Sequence, residues 1–279
     1  MFTYFRDIGG DDEINMDVDP NRVIKLVKRP RWAQHLLTHV RNERIVNTSG
    51  GYYHLDQQGK YRILSGLLPR LRATYWPHSS YIQLMKRTKK ESIHKAEPGG
   101  QGRFGGLIRG SRVHKQLQDF IRLDREHFLK CHKRLHAYTA RLLNAIVNNL
   151  KLQPFLPEFD LYDEELHIGT SVDHIGLDQE GHLALLEFKT GYKNCYTGND
   201  GFMQGSLRLM PCTPQNQATL QLVASALILN RRYQIPLEEM RLYVMRCDDT
   251  VVEMNPVPTE FVTKLSQTMY NDLLATVSK

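Results

Sequence analysis

The order of predicted elements along the chain points to an α/β core that follows a basic, mainly helical N-terminal region. Helices with apolar residues at helical spacing flank a central block in which apolar runs are separated by turn residues. Charge is unevenly spread, because residues 21–95 hold 16 lysines and arginines against three acidic residues, a net +13 in a chain of net charge +7. We therefore divide the chain into a basic region, 1–105, and a core, 106–279.

The composition is typical of a soluble globular protein, with 41% hydrophobic and 24% charged residues over 279 positions. No stretch approaches the about 18 consecutive apolar residues of a membrane-spanning helix, and the N-terminus lacks a signal-peptide pattern. The four cysteines are far apart, which favours a reducing compartment over a disulfide framework. We expect an intracellular protein that is neither secreted nor membrane-bound, with nucleus, cytoplasm and organelle left open.

In the N-terminal region, apolar positions over residues 21–46 follow helical spacing, and Pro30 divides this helix in two. A small hairpin is expected over residues 52–63, and residues 86–110 form a polar, glycine-rich loop. Residues 100–105 match Gly-x-Gly-x-x-Gly, but no predicted strand precedes them. The dinucleotide-binding interpretation is therefore rejected, and we expect no nucleotide cofactor.

The core begins with a long helix predicted from Ser111 through Leu129 and a second helix over residues 135–149. A strand-rich block over residues 155–189 follows. The remaining predictions are a helix over 216–229, strands over 241–246 and 251–254, and a last amphipathic helix with Phe261, Leu265, Met269 and Leu273 on one face.

The strand-rich block contains one β-hairpin with an unusual set of charges. Two apolar-rich runs flank the turn at residues 178–181, and a turn centred near residues 179–180 places Asp173 opposite Glu187 within one residue. Lys189 projects from the same face as Glu187, whereas Leu186 and Phe188 project into the core. The hairpin therefore predicts two acids and a lysine on one face. A surface hairpin with an ordinary Glu–Lys pair is the simpler alternative.

Two opposed carboxylates repel each other unless a proton or a cation lies between them. Oxygen ligands of this kind suit Mg²⁺ or Mn²⁺. Such an ion neutralises a phosphate and lowers the pKa of a bound water, and a nearby lysine can orient that water or stabilise negative charge. The hairpin is thus a candidate site for phosphodiester hydrolysis.

Asp173 and the triplet Glu187-Phe188-Lys189 resemble the Asp…(Asp/Glu)-x-Lys core of restriction-endonuclease-like nucleases. The continuation to Gly191 and the segment 109–114 are similar to the RecB-like exonuclease branch, which includes mitochondrial genome-maintenance exonucleases and CRISPR-associated adaptation nucleases. This resemblance covers residues 109–230. It implies a mixed central sheet flanked by helices.

The resemblance also implies roles for individual residues. Asp173, Glu187, the Phe188 carbonyl and His114 would bind the metal, and Lys189 would position the water or stabilise the pentacovalent charge. Gln217 would contact the substrate backbone from a later helix, although Gln221 replaces the usual tyrosine of that motif. Some relatives carry an iron–sulfur cluster, but the wide cysteine spacing here predicts none.

These observations together predict a Mg²⁺- or Mn²⁺-dependent deoxyribonuclease. The resemblance favours an exonuclease or a single-strand or flap-processing nuclease of DNA replication, repair or recombination. Its partner would be DNA, single-stranded or with free ends, gripped by the basic region. A replication or recombination protein is left open as a second partner. The residues expected to contact DNA outside the hairpin are Lys86, Arg87, Lys89 and Lys90, with Tyr192 either stacking on a base or packing.

Two other classes of protein fit parts of the sequence. The first is a catalytically inactive nucleic-acid-binding module, which the intact set of Asp173, Glu187 and Lys189 disfavours. The second is an adaptor whose basic region binds an acidic protein. Metal-dependent cleavage of DNA by the purified protein distinguishes all three.

Overall fold

The computed structural model describes residues 36, 45–48, 51–55, 61–77, 103–123, 125–132, 135–190, 201–248 and 251–277. Within these ranges, eight strands form one mixed sheet in the order β1-β2-β3-β5-β6-β7-β8, and β4 pairs with β5 outside this path. The strands are β1 (Ile45–Thr48), β2 (Gly51–Leu55), β3 (Tyr61–Gly66), β4 (Gln153–Asp163), β5 (Ile168–Leu177), β6 (Leu183–Thr190), β7 (Met240–Cys247) and β8 (Val252–Val257).

The sheet forks at β5. Strand β4 pairs antiparallel along the whole length of β5 and so occupies one of its two edges. The other edge is shared, because β3 pairs parallel with Ile168 and Gly169 whereas β6 pairs antiparallel with residues 174–177. The β5 backbone between Gly169 and His174 therefore lies where β3 and β6 diverge, and this opening positions the site described below.

Helices cover both faces of the sheet. One apolar core lies between the sheet and α1, α5 and α6, and a second lies between the sheet and α2, α3 and α4. Strand β6 is buried on both faces, with Leu185 in the first core and Leu186 in the second. The helices are α1 (Leu67–Tyr75), α2 (Arg103–Arg122), α3 (Arg125–Cys131), α4 (Ala137–Asn144, continued by a π-helical turn at Ala145–Asn149), α5 (Pro214–Tyr233) and α6 (Thr259–Val277).

The described part of residues 1–105 differs from the helical region that the sequence predicts. The hairpin expected near residues 52–63 is confirmed as β2 and β3, but β1 occupies positions predicted as the end of a helix. Because β3 pairs with β5, these strands extend the sheet of the core. The division of the chain at residue 105 stays a prediction.

Two other boundaries were predicted wrongly. Helix α2 begins at Arg103, so residues 103–110 are helical where a loop was expected, and it ends at Arg122 instead of continuing through Phe128. In α6, Leu265 is buried as predicted, but Phe261 is 37% exposed and Val262 takes its place in the core. Among the described helices, none is both long and apolar enough to cross a membrane.

Candidate metal centre

The predicted register of the β5–β6 hairpin is confirmed. His174 pairs with Leu186, and continuing that register by one residue places Asp173 opposite Glu187. The Phe188 N–H donates to Asp173 Oδ2 at 2.7 Å, so the carboxylate accepts a backbone hydrogen bond where the ladder ends. Asp173 is thereby fixed at the fork of the sheet.

Helix α2 brings His114 to the same point. His114 Nδ1 lies 3.4 Å from Asp173 Oδ1, and the imidazole meets the Phe188 ring edge-on at 6.0 Å between centroids. One turn earlier, a Cβ on Gly110 would lie 3.2 Å from the Thr190 hydroxyl oxygen, so the missing side chain lets α2 pass close to the end of β6. The His114 imidazole therefore lies beside the Asp173 carboxylate, and its role as a metal ligand stays a prediction.

Glu187 and Lys189 form an ion pair on the same face of β6. The Glu187 side chain is 3% exposed, whereas that of Lys189 is 33% exposed. The Glu187 carboxylate is therefore shielded from water, whereas part of the Lys189 side chain is accessible to it. Leu186 and Phe188 lie in the second core, as the alternation predicts.

Burial and charge shift each pKa in this cluster. Burial and the negative charge of Asp173 raise the pKa of Glu187 to about 7, despite its ion pair with Lys189. Burial also opposes the charged forms of Asp173, His114 and Lys189, but the attraction between opposite charges outweighs it. The pKa of Asp173 is lowered by His114, that of His114 is raised by Asp173, and that of Lys189 is raised by Glu187.

The chemistry of these side chains suits a hard or borderline divalent cation. Two carboxylates that repel each other lie on one face, and an imidazole nitrogen lies beside one of them. A cation between them would offset both the burial and the repulsion by Asp173 that raise the pKa of Glu187. Asp173, Glu187 and His114 are the side chains that would hold it.

The other predicted site residues are not joined to this cluster by a described contact. The Gln217 amide, in the first turn of α5, donates to Cys212 Sγ at 3.5 Å. The Phe188 side chain packs in the core, and a metal-binding role of its carbonyl stays a prediction. Tyr192, Lys86, Arg87, Lys89 and Lys90 lie outside the described residues.

A polar chain beside the centre was missed by sequence reasoning. The Tyr52 hydroxyl of β2 lies 3.0 Å from Ser171 Oγ, and Ser171 donates to Asp160 of β4. Ser171 precedes Asp173 by two residues on β5. No local pattern indicates this chain, because Tyr52 lies 119 residues before Ser171 in the sequence.

A second group of carboxylates and histidine lies at the turn between β5 and β6. Ligand atoms of Asp178, Glu180 and His182 lie within 4.8 Å of one another, a set that could bind a metal ion. Asp178 accepts the backbone N–H groups of Glu180 and His182 at 2.9 and 2.8 Å, and its other oxygen lies 2.8 Å from His182 Nδ1. These hydrogen bonds close the turn and account for the proximity of the three side chains.

Comparison with known proteins gives distant structural likenesses only. No protein-family model matches the chain, and no curated protein does. Among solved structures, one similar chain is a provisionally assigned exonuclease from Eubacterium rectale, with 10% identity, a TM-score of 0.36, and coverage of 74% of this chain and 79% of that one. Another is a protein named SSO0001, with 12% identity, a TM-score of 0.25, and coverage of 59% and 85% respectively. TM-scores of this size do not establish a shared fold.

Proposed function

We propose that the chain is a divalent-metal-dependent nuclease that hydrolyses phosphodiester bonds in DNA, built on a restriction-endonuclease-like core. The observation that carries this proposal is the convergence of Asp173, Glu187, Lys189 and His114 at the fork of the sheet. Two strands and a helix supply these groups. Chance placement of an exposed Glu–Lys pair explains neither the burial of Glu187 nor the position of His114 beside Asp173.

Each side chain has a separate role in the proposed reaction. A bound divalent ion would neutralise the phosphate and lower the pKa of an attacking water. Asp173 and Glu187 would hold the ion, with His114 completing the ligand set. Lys189, whose raised pKa keeps it charged, would orient the water or stabilise charge that develops on the phosphate.

The substrate preference follows from charge and from the family resemblance. The +13 segment over residues 21–95 suits a polyanion that extends beyond one phosphate. The resemblance to RecB-like nucleases favours an exonuclease, or a nuclease of single strands or flaps, in replication, repair or recombination. Mn²⁺ is proposed beside Mg²⁺ because an imidazole ligand favours the borderline ion.

The test is cleavage of labelled DNA by purified protein. Wild type should cut with Mg²⁺ or Mn²⁺ and stop with EDTA, and Asp173→Ala, Glu187→Ala and Lys189→Ala should each lower the rate by about a hundredfold or more. Glu180→Ala is the matched control, since Glu180 is an exposed acid on the same hairpin. If Glu187→Ala kept full activity and Glu180→Ala lost it, the metal centre would lie at the turn between β5 and β6. Binding without cleavage by wild type would identify an inactive binding module.

The role of His114 needs a metal titration. His114→Ala should raise the Mn²⁺ concentration that gives half-maximal rate, because the ion loses a nitrogen ligand. An unchanged titration with a lowered melting temperature would make His114 a structural residue.

A further inference from the structure

Helix α5 runs back along the sheet and begins at the end that carries the metal centre. Strands β6 and β7 are parallel, and the pair of Leu183 with Met240 begins their ladder. The chain passes from β6 to β7 through α5, whose 20 residues span about 30 Å and so cover the length of about 26 Å of β6. Because α5 ends shortly before Met240, its first residues lie at the end of the sheet that carries Lys189.

Helix α5 also packs against the face of β6 that carries Glu187 and Lys189. Leu183 and Leu185 of that strand lie in the first core, together with buried residues of α5. Alternation along the strand places Glu187 and Lys189 on this same face. The segment that leads into α5, residues 201–213, therefore lies at the same end and on the same face of the sheet as these two predicted catalytic residues.

Residues 201–212, which we call the rim loop, are held by hydrogen bonds to the rest of the fold. The Cys212 N–H donates to the Gly201 carbonyl at 2.7 Å and closes the loop. Cys212 is also buried in the first core. The Gln204 N–H donates at 2.7 Å to the carbonyl of Tyr75, the last residue of α1. The rim loop is therefore braced against both the core and α1.

Two large apolar side chains of the rim loop are nevertheless exposed. Phe202 is 60% exposed and Leu209 is 85% exposed. Over the part of the chain that the structure describes, only two other large hydrophobic side chains are exposed, those of Val251 and Phe261. Arg208, next to Leu209, is exposed as well. Because covering apolar surface is favourable, a ring and a leucine exposed on one braced loop favour a ligand that packs on them.

We propose that the rim loop is a base-stacking platform, on which the Phe202 ring packs against an unpaired nucleobase of the DNA strand bound at the metal centre. This inference rests on the proposed function, because the strand is the substrate of the proposed nuclease. An aromatic ring stacks on any of the four bases, since each base has a π-face. Arg208 supplies positive charge for the phosphates of the same strand, and Leu209 adds apolar contact.

The size of the exposed patch favours a nucleotide over a protein. A stable protein interface buries about 800 Å² on each partner, which is more than two apolar side chains and one arginine provide. In a duplex the bases are stacked on one another, so the ring can pack only on a base that has left the stack. The platform would therefore favour single strands and frayed ends over intact duplex.

The experiment separates contact with bases from contact with phosphates. A fluorescent oligodeoxythymidine is compared with an abasic strand of equal length, and affinity is measured by anisotropy in Ca²⁺ over a series of salt concentrations. Phe202→Ala should weaken binding of the oligodeoxythymidine by roughly 5- to 100-fold, with the slope of log affinity against log salt unchanged, since it removes a stack and no charge. Phe202→Trp should keep the affinity. On the abasic strand, Phe202→Ala should bind like wild type.

Phe261→Ala is the matched control. Phe261 is an exposed phenylalanine in the first turn of α6, which follows β8. Strand β8 runs antiparallel to β7, and its last residue, Val257, pairs with Leu242 near the start of β7. Phe261 therefore lies toward the opposite end of the sheet from the rim loop, and Phe261→Ala should bind both strands like wild type.

The outcomes separate this inference from the proposed function. Equal affinity of wild type and Phe202→Ala for the oligodeoxythymidine would overturn the platform, and so would an equal loss on both strands, because Phe202 would then support the fold or the phosphate contacts. A change from dimer to monomer in Phe202→Ala, with DNA binding unchanged, would also overturn it and assign the loop to contact between copies. Binding that depends on Phe202 without cleavage by wild type would overturn the nuclease and support the platform. No binding by wild type would overturn both.

Discussion

At the scale of single residues, Glu187 combines burial with an adjacent negative charge, and its protonation couples the centre to stability. Its folded pKa of about 7 exceeds the ordinary value, so the folded state binds the proton more tightly than the unfolded state. Stability therefore falls as pH rises from the ordinary pKa through about 7. The raised pKa of His114 acts in the same direction, because its stabilising ion pair disappears on deprotonation. Asp173 acts in the opposite direction. Because its pKa is lowered in the folded state, its carboxylate stabilises that state above the ordinary pKa, and this stabilisation is lost as the pH falls through the acid range.

We expect the metal-free protein to be less stable at about pH 8 than at about pH 5.5, with Glu187 contributing on the order of 2 kcal/mol. Denaturant unfolding in EDTA at both values measures this difference. Glu187→Gln should flatten the dependence, because the neutral amide does not ionise. Glu180→Gln is the control at an exposed position. An equally steep dependence in Glu187→Gln would refute the assignment of the titration to Glu187.

At the scale of elements, the contact between β2 and β5 depends on a glycine. A Cβ on Gly169 would lie 2.6 Å from both Cβ and Cγ of Tyr52, closer than real atoms approach. Gly169→Ala should therefore displace β2 and cost about 1–3 kcal/mol of unfolding free energy, with faster hydrogen exchange in β2. Tyr52→Phe keeps the ring and removes the hydroxyl bond to Ser171, so it should cost about 0.5–1.5 kcal/mol. A Gly169→Ala protein as stable as wild type would contradict this packing.

At the scale of the whole molecule, positive charge is concentrated before residue 96 and the proposed chemistry after it. Replacing Lys86, Arg87, Lys89 and Lys90 with alanine should weaken DNA binding at low salt. Each phosphate that these side chains no longer neutralise should flatten the salt slope by roughly 0.7–0.9. Single-turnover cleavage of bound DNA at saturating enzyme should change little, because the metal ligands are untouched.

The slope of log affinity against log salt depends on total charge as well as on specific contacts. The quadruple variant therefore needs a control variant that loses the same number of positive charges elsewhere. Four exposed basic residues of the core are suitable: Lys115, Arg122, Lys130 and Lys264. If the two quadruple variants lower affinity and slope equally, the cluster at residues 86–90 has no special role in holding DNA. Identical behaviour of that cluster variant and wild type would make the segment a solvated loop.

The hairpin at the metal centre was predictable from sequence, because its pairing depends on residues that lie close together along the chain. The turn at residues 178–181 and the alternation on either side determine which residues face each other, so the sequence predicts Asp173, Glu187 and Lys189 on one face of the hairpin. The position of His114 came from the family resemblance, because nothing in its own helix distinguishes a ligand from a surface histidine. The helical start of α2 was missed, because Gly105, Gly106 and Gly110 are typical of a loop.

The fork of the sheet was decided by tertiary structure alone. The β3–β5 contact consists of two residue pairs, Ser65 with Ile168 and Gly66 with Gly169. Its partners are separated by about a hundred residues, and so short a pairing leaves no periodic pattern in either segment. Sequence determines which face of a strand or helix is apolar, since that depends on neighbours along the chain. Which strand fills the free edge of β5 depends on the packing of all the elements together, and only the folded structure reveals it.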